Sequence, residues 1–276
     1  MNRAPGERAV GKHYGREGLE ERISAALREA GADPLAPSVE DLHAVDQLHT
    51  RGVRATLELA RLAGVAPGMR VLDVGGGLGG PARILASRFG CRVVVLDVTE
   101  EFCRVGALLT ARAGLGGLIS FRHGSALEIP YPNRSFDLAW TQHSSMNIPD
   151  KDRLYREIKR ILRPGGRLAM HEILAGPSGP PRRFPLPWAG NAALSHLLPP
   201  HRMRNTLAGA GLRELAWEDV TRDTAAWLET RGSARPSGPP PEAFANLLHS
   251  IREGRAVVVQ ALLERPDHPL VENRSQ

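Results

Sequence analysis

Hydrophobic residues recur at helical spacing in three stretches near the start of the chain. The first is REGLEERISAALREAG, which stops at Gly31, and the third is RATLELARLAG, which ends at Gly64. The second, SVEDLHAVDQLH, opens with Ser38 as a predicted N-cap, and Asp41 follows three positions on in a variant of the capping box. We interpret residues 1–66 as an N-terminal helical cap and residues 67–276 as the domain that it covers.

From residue 70 onward, short apolar runs alternate with amphipathic stretches. The runs RVLDV, RVVVLDV, LISFRHG, SFDLAWTQ and RLAMHEIL predict five buried strands. Between them, LGGPARILASRFG, TEEFCRVGALLTARAG and DKDRLYREIKRILRPGG predict helices, the last of which is closed by Pro-Gly-Gly. Strands that alternate with helices indicate a parallel sheet covered on both faces.

The pattern is less regular after the fifth predicted strand. Residues 175–200 are rich in proline and glycine, and we expect them to form a lid, because long insertions carry function more often than structure. HRMRNTLAGAG predicts a helix, while LRELAWEDV and AVVVQALLE predict two further strands. Residues 222–254, which lie between those strands, are expected to be helical apart from the loop PSGPPP.

Composition and charge narrow the classes of partner. No apolar run approaches the ~20 residues that a bilayer-spanning helix needs, and the first residues lack the apolar centre of a secretory signal. The pI near 10 comes from arginines scattered among acids, without a basic stripe interleaved with aromatics. We therefore expect a cytoplasmic protein with neither a membrane nor a nucleic acid as its partner.

Cysteines and histidines give no sign of a metal centre. Cys91 and Cys103 are too few for a disulfide framework or a cysteine zinc site, and we expect two small buried side chains. None of the ten histidines forms an H-x-x-x-H pair, so we expect no bound metal.

The stretch VLDVGGGLGG places a glycine-rich turn between the first predicted strand and its helix. Gly75, Gly77 and Gly80 fit G-x-G-x-x-G, with which doubly wound sheets bind nucleotide-like ligands at the carboxyl ends of their strands. Asp73 precedes the first glycine by two residues, where a carboxylate favours an ammonium group over a pyrophosphate. Asp97 ends the second strand 22 residues after Gly75, where an acid accepts hydrogen bonds from both ribose hydroxyls. A ligand with an adenosine at one end and an amino acid at the other satisfies these features, and S-adenosylmethionine is such a ligand.

Together these motifs resemble the class I S-adenosylmethionine-dependent methyltransferases, from about Val65 to the helix near Gly211. LDVGGGLGG is similar to the family's D-x-G-x-G-x-G loop, VVVLDVT to its ribose-binding strand end, and RILRPGGRLAMHE to the approach to its fifth strand. DQLHTRG, WTQHSSMNIPDK and PLPWA resemble a branch that acts on small metabolites, which includes sarcosine and dimethylglycine, phosphoethanolamine, quinone and tocopherol methyltransferases. The resemblance implies an α/β fold. Its core would be a doubly wound, Rossmann-like sheet of seven mostly parallel strands, the last one antiparallel, with helices on both faces, to which the helical cap and the lid insertion are added.

The resemblance also implies the contacts of the cofactor. Carried over by position, they are Gly75, Gly77 and Gly79 for the methionyl part, Asp73 for its amino group, Asp97 and Val98 for the ribose, and Ser125, Ala126 and Leu127 for the adenine. Relatives often have aspartate where Ser125 stands, and a serine hydroxyl accepts the bond from the adenine amino group without charge. We therefore expect adenine binding to depend more on the backbone of Ala126 and on apolar stacking.

Candidates for catalysis follow the fourth strand, in TQHSSMNI, which faces the methyl group in this architecture. His143 is the candidate base, because imidazole titrates near neutral pH, and the alternative is a neutral histidine that caps the strand. Gln142 is assigned to the methionyl end of the cofactor and Asn147 to orienting the substrate. His171, near the end of the fifth strand, and His49, in the cap, are further candidates. The alternatives for these two are a hydrogen-bonded core histidine and a helix-end histidine.

Trp188 in the lid and Tyr14 in the cap are expected to close over the site, although Trp188 could instead be an aromatic packed in a proline loop. The sequence therefore predicts in-line transfer of a methyl group from S-adenosylmethionine to N, O or C of a small-molecule acceptor, with S-adenosylhomocysteine as product. Two alternatives stay open. One is an NAD-type oxidoreductase, against which Asp73 argues, and the other is a protein that binds S-adenosylmethionine without methylating.

Overall fold

The computed structural model describes residues 18–230 and 239–267 and has the predicted α/β organisation. Its strands are β1 (Arg70–Val74), β2 (Arg92–Asp97), β3 (Ile119–His123), β4 (Phe136–Gln142), β5 (Leu162–Ala175), β6 (Arg213–Asp219) and β7 (Ala256–Glu264). The α-helices in these two ranges are α1 (Leu19–Glu29), α2 (Val39–Asp46), α3 (Gly52–Leu62), α4 (Gly80–Phe89), α5 (Glu100–Arg112), α6 (Lys151–Ile161), α7 (Pro200–Gly209), α8 (Thr221–Thr230) and α9 (Pro241–Arg252). None of them combines the length and the hydropathy of a bilayer-spanning segment.

The seven strands form one sheet in the order β3-β2-β1-β4-β5-β7-β6. Strands β1 to β5 pair in parallel, and β7 is antiparallel to both of its neighbours, β5 and β6. The predicted sheet with an antiparallel last strand is therefore confirmed. The chain runs from β1 outward to β3 and then returns to β4 on the other side of β1. Ligands of open α/β sheets bind at the carboxyl ends of the strands beside such a switch point.

The sheet separates two apolar cores, because successive side chains of a strand point to opposite faces. Leu72 of β1 is buried in the core that α6 and α7 cover, and its neighbour Val71 is buried in the core that α3 and α4 cover. Leu59 of α3 packs in that second core together with Leu85 of α4. The third helix of residues 1–66 thus lies on the sheet itself, and the division of the chain at residue 66 stays a prediction.

The first two described helices pack against α5 in a smaller core that includes Ile23, Leu42 and Val105. The predicted capping box at the start of α2 is confirmed. The Asp41 backbone N–H donates to the Ser38 hydroxyl oxygen (3.1 Å), and the Ser38 backbone N–H donates to the Asp41 carboxylate (2.8 Å).

Helix α6 ends at Ile161 and not at the Pro-Gly-Gly of residues 164–166, so the predicted end of this helix was wrong. Strand β5 begins at Leu162 and includes these three residues. The register between β4 and β5 shifts between Phe136 and Leu138, which gives room for the irregular backbone at the start of β5. Pairing with β4 therefore decides where the helix stops.

The segment between β5 and α7 packs over the end of the sheet against α8 and α9. Its Leu186 and Trp188 are buried in a core with Leu228, Phe244 and Leu247. The segment therefore has a packed interior and lies where the lid was predicted.

Candidate functional site

The glycine turn after β1 needs its glycines for conformation and for space. Gly75 and Gly77 have φ values of 71° and 55°, in the left-handed region that favours glycine. A Cβ atom at Gly75 would lie 2.5 Å from the Cβ atom of Ser144, which follows β4. The turn therefore brings bare backbone to the carboxyl edge of the sheet, where a ligand can approach it closely.

Asp73 lies beneath this turn and is only 1% exposed. Neither of its carboxylate oxygens has a hydrogen-bond partner among the described residues. Burial, and secondarily the charge of Asp97, raise the pKa of Asp73 to about 8. An unpartnered buried carboxylate is costly, and a cationic ligand group is what would relieve it.

Asp97 ends β2 and faces the same turn. Its carboxylate accepts hydrogen bonds from the backbone N–H of Gly77 (2.9 Å) and of Thr99 (2.8 Å). Burial raises the pKa of Asp97, and the two backbone bonds oppose that effect. The carboxylate is thereby held in place while its remaining lone pairs can accept further hydrogen bonds, as a ribose diol requires.

A cavity of about 260 Å³ opens above the turn. The sequence-predicted residues that line it are Asp73, Gly75, Gly77, Asp97, Val98, Ala126, Leu127, Gln142, His143, Asn147, His49 and Trp188. Gly79, Ser125 and His171 are not part of this lining, and Tyr14 lies outside the described residues. The structure thus gathers most of the candidates around one cavity.

Two of the predicted residues outside the lining, Gly79 and Ser125, shape the backbone that borders the cavity. A Cβ atom at Gly79 would meet the Phe121 ring at 2.7 Å, so this glycine serves the packing of the turn. The Ser125 hydroxyl oxygen accepts a hydrogen bond from the backbone N–H of Leu127 (3.0 Å), which shapes the backbone where an adenine is expected.

A chain of hydrogen bonds holds the ring of His49. The indole N–H of Trp140 can only donate, and it donates to Oε1 of Gln142 (3.0 Å), so the Gln142 amide nitrogen faces His49. Nδ1 of His49 lies 3.0 Å from that amide nitrogen and 3.1 Å from the carbonyl oxygen of Thr50, and its Nε2 lies 3.1 Å from Oε1 of Gln47. Because both ring nitrogens have hydrogen-bond partners, the ring of His49 is held in place at the cavity wall.

His143 follows β4 with a φ of 56° and lines the cavity. Its ring stacks on that of His171, with the ring centroids 4.7 Å apart. Both Nε2 atoms approach the hydroxyl of Thr50, at 3.3 Å from His143 and 3.2 Å from His171. Burial, together with the neighbouring imidazoles, lowers the pKa of His143 well below its usual value. A neutral ring at neutral pH is the form that a general base requires.

Asn147 connects the turn after β4 to the lid. Its side-chain amide donates to the backbone carbonyls of Trp188 (2.8 Å) and Leu194 (2.9 Å). The indole N–H of Trp188 in turn donates to the Ser195 hydroxyl oxygen (3.1 Å), and Trp188 is 1% exposed. Both amide hydrogens of Asn147 are thus engaged with the lid, and its predicted role in orienting the substrate stays a prediction.

Lys151 holds the same turn from below and was not predicted. Its ammonium donates to the carbonyls of Ser145 (2.6 Å), Ile148 and His196 (2.9 Å). Burial lowers the pKa of Lys151 to about 8, against the opposing charge of Glu172. The residue fastens the turn after β4 to the segment before α7.

The sequence interpretation also missed the buried pair of Asp46 and Arg83. Two guanidinium nitrogens of Arg83 donate to one carboxylate oxygen of Asp46, at 3.1 and 3.0 Å, and both side chains are fully enclosed. Thr50 was missed as well. The signal was the polar run DQLHTRG, which follows an amphipathic helix and delivers both Asp46 and Thr50 to the site.

No group of three His, Cys, Asp or Glu side chains within residues 18–230 and 239–267 is arranged to hold a metal ion. The polar groups at the cavity instead suit an organic ligand with a cationic end and a diol.

Comparison with known proteins matches residues 72–170 to a family described as a methyltransferase domain. Methyltransferase GfsG of Streptomyces halstedii is 38% identical over 134 residues, which are 49% of this chain and 48% of that protein. Sarcosine/dimethylglycine N-methyltransferase of Halorhodospira halochloris is 31% identical over 182 residues, 66% of this chain and 64% of that protein. The chain thus spans less than two thirds of the length of these relatives.

Among solved structures, geranyl diphosphate C-methyltransferase from Streptomyces coelicolor A3(2) superposes with a TM-score of 0.74 at 20% identity. The superposition covers 96% of this chain and 99% of the other, which was solved with Mg²⁺, geranyl diphosphate and S-adenosyl-L-homocysteine. At this identity the likeness concerns the fold.

Proposed function

We propose that this chain, which matches a methyltransferase domain family over residues 72–170, is a class I S-adenosylmethionine-dependent methyltransferase and transfers a methyl group from S-adenosylmethionine to a small-molecule acceptor. The observation that carries the proposal is the unpartnered, buried carboxylate of Asp73 beside the glycine turn. It is matched by Asp97 on the neighbouring strand, so that the two ends of the cofactor have separate acceptors.

In this proposal, the residues of β1 and β2 hold the cofactor. Asp73 pairs with the ammonium group, Gly75 and Gly77 approach the methionyl part, and Asp97 accepts from the ribose hydroxyls. Ala126 and Leu127 lie along the adenine. The bound sulfonium supplies an electrophilic methyl group, and the protein contributes orientation and the exclusion of water.

We assign to His143 the removal of the proton from the reacting atom of the acceptor. The histidine lines the cavity and its depressed pKa keeps it neutral at pH 7. Its Nε2 faces Thr50, so Nδ1 is the nitrogen left for the acceptor. His171 is fully enclosed behind His143, so any part that it has in catalysis is exerted through its neighbours.

The acceptor end of the cavity is mainly apolar. Its described walls beyond His143 include Met146, Ile148, Leu186 and Trp188. These walls favour a predominantly apolar acceptor, enclosed by the lid of residues 175–200 and by the helical cap. Relatives whose names specify small-molecule methylation, such as the sarcosine/dimethylglycine enzyme, agree with an acceptor of small size.

The matches to methyltransferases lend no support to an NAD-type oxidoreductase or to a cofactor-binding protein without turnover. The cytoplasmic location and the absence of a nucleic acid partner, both expected from the sequence, stay predictions.

The test is transfer of labelled methyl groups from S-adenosylmethionine to pooled phenols, alcohols, amines and quinols. We expect product with at least one pool and none without the protein.

His143→Ala should lower turnover at saturating cofactor by roughly 10²- to 10⁴-fold, as for loss of a general base, with unchanged cofactor affinity. His249→Ala, on helix α9 and not among the residues that line the cavity, is the matched control and should keep full turnover. Full turnover of the His143 variant would show that His143 is not the base. Calorimetric binding of the cofactor without transfer to any pool would contradict the proposed activity.

A further inference from the structure

Thr50 occupies a position that neither the cofactor nor the acceptor reaches directly. It lies between α2 and α3, is 1% exposed, and is absent from the residues that line the cavity. Its hydroxyl nevertheless lies within hydrogen-bonding distance of two imidazole nitrogens, Nε2 of His143 at 3.3 Å and Nε2 of His171 at 3.2 Å.

A single hydroxyl constrains how two such rings can be protonated. A threonine hydroxyl has one hydrogen, so it can donate to one of the two Nε2 atoms and must accept from the other. If both rings are neutral, one of them carries its proton on Nε2 and the other carries it on Nδ1. Thr50 therefore couples the tautomers of His143 and His171, whichever direction the chain of hydrogen bonds takes.

We propose that Thr50 is a positioning residue that holds His143 with its proton on Nε2 and its lone pair on Nδ1 toward the cavity. The inference rests on the proposed function, because a base at His143 requires that lone pair. In this arrangement the Nε2–H of His143 donates to the Thr50 oxygen, and the Thr50 hydroxyl hydrogen is donated to Nε2 of His171. Neutral His171 then carries its proton on Nδ1.

When the acceptor gives its proton to Nδ1 of His143, the bond from acceptor to hydrogen breaks and an Nδ1–H bond forms. The positive charge stays on His143, whose Nε2–H continues to donate to Thr50. A hydrogen bond from a charged donor is stronger than the one from the neutral ring, so Thr50 supports the protonated base as well as the resting one.

The places of the two rings favour this direction, because His143 lines the cavity and His171 does not. His171 is fully buried, and burial, followed by His49 and the guanidinium of Arg51, lowers its pKa well below the usual value. His171 is therefore held neutral and can accept from Thr50. Both ring nitrogens of His49 already have partners within the protein, as described above. The ring that remains able to take a proton from the cavity is His143.

Long-range ¹H–¹⁵N spectra of the protein labelled with ¹⁵N-histidine test this directly, since the two ring nitrogens of each tautomer have distinct shifts. His143→Gln and His171→Gln assign the two rings by loss of their signals. Near pH 7 we expect protonated Nε2 on His143 and protonated Nδ1 on His171. Thr50→Val removes the hydroxyl and should move both sets of shifts toward the averages of exchanging tautomers. Thr50→Ser should restore the original pattern, and Thr224→Val, a buried threonine of α8 whose hydroxyl donates to the Val220 carbonyl, should leave it unchanged.

The same Nε2 state on both rings, a proton on Nδ1 of His143, or shifts unmoved by Thr50→Val would each overturn the proposal. The wild-type spectrum, assigned with the two glutamine variants, decides the first two points, so the test does not depend on the folding of the valine variant. Cofactor affinity, measured by calorimetry, reports on the proposed function separately. Its absence with the expected tautomers would contradict the methyltransferase proposal and leave the role of Thr50 standing.

Discussion

Replacing Asp73 by asparagine should make the ligand-free protein more stable while it weakens binding of S-adenosylmethionine. The side chain is fully buried, its two oxygens have no partner among the described residues, and its pKa is raised to about 8. Asparagine has nearly the same shape and carries no charge to desolvate. The same substitution removes the carboxylate that we assign to the ammonium group of the cofactor.

The magnitude follows from the linkage between protonation and folding. In the unfolded chain the carboxyl ionises near 3.8, whereas in the folded protein it stays mostly protonated at pH 7. A raised carboxyl pKa destabilises the folded state as pH rises above the unfolded value, and the effect reaches its limit near pH 8. The roughly 3 units between the unfolded pKa and pH 7, at about 1.4 kcal/mol each, give an upper limit of ~4 kcal/mol. Allowing for the burial of the amide itself, which costs about 1–3 kcal/mol, we expect a net gain of ~1–3 kcal/mol.

Calorimetric unfolding of the ligand-free protein at pH 7 measures this gain, with a rise in Tm of roughly 2–4 °C for each kcal/mol. Asp46→Asn is the matched control, because Asp46 is equally buried but paired with Arg83. Breaking that pair should destabilise the protein by about 3–5 kcal/mol. A loss of stability in Asp73→Asn comparable to that of the control, or an undiminished affinity for S-adenosylmethionine, would refute the reasoning.

Binding should also release a proton from Asp73, because pairing with the ammonium group favours the carboxylate. With a pKa of about 8, the carboxyl is protonated to a fraction of about 0.9 at pH 7. Titration calorimetry in buffers of different ionisation enthalpy should therefore show release of about 0.9 proton per cofactor bound, and Asp73→Asn should abolish that release.

Two further substitutions test the ribose acceptor and the lid. Asp97→Ala should weaken cofactor binding by about 1–3 kcal/mol, through loss of charge-assisted bonds to buried hydroxyls, and an unchanged calorimetric affinity would contradict the assignment. Asn147→Ala removes two hydrogen bonds to the lid carbonyls of Trp188 and Leu194 and should cost about 1–3 kcal/mol in denaturant unfolding. Asn246→Ala, which removes one bond to the carbonyl of Pro185, should cost about half as much. Equal losses of stability in the two variants would contradict a larger contribution from Asn147.

The sequence by itself determined the strands of the sheet and the two acids that we assign to the cofactor. Alternation of apolar runs and amphipathic stretches reports local burial, so it predicted strands such as Arg70–Val74 and the helices between them. Asp73 and Asp97 could be assigned because both lie at or near the ends of adjacent parallel strands, whose carboxyl ends meet at one edge. The capping box of Ser38 and Asp41 could be predicted for a similar reason, since its partners are three residues apart.

Tertiary structure alone decided how the histidines are held and what Asn147 does. Thr50 is 93 residues from His143 and 121 from His171, and no periodicity along the chain encodes such a meeting. The orientation of His49 depends on Trp140 and Gln142, which the sheet brings to the same place. Local patterns express the burial that each residue prefers, whereas hydrogen-bond partners are chosen by packing between distant segments. The chemistry of the base that we propose is therefore a property of the assembled fold.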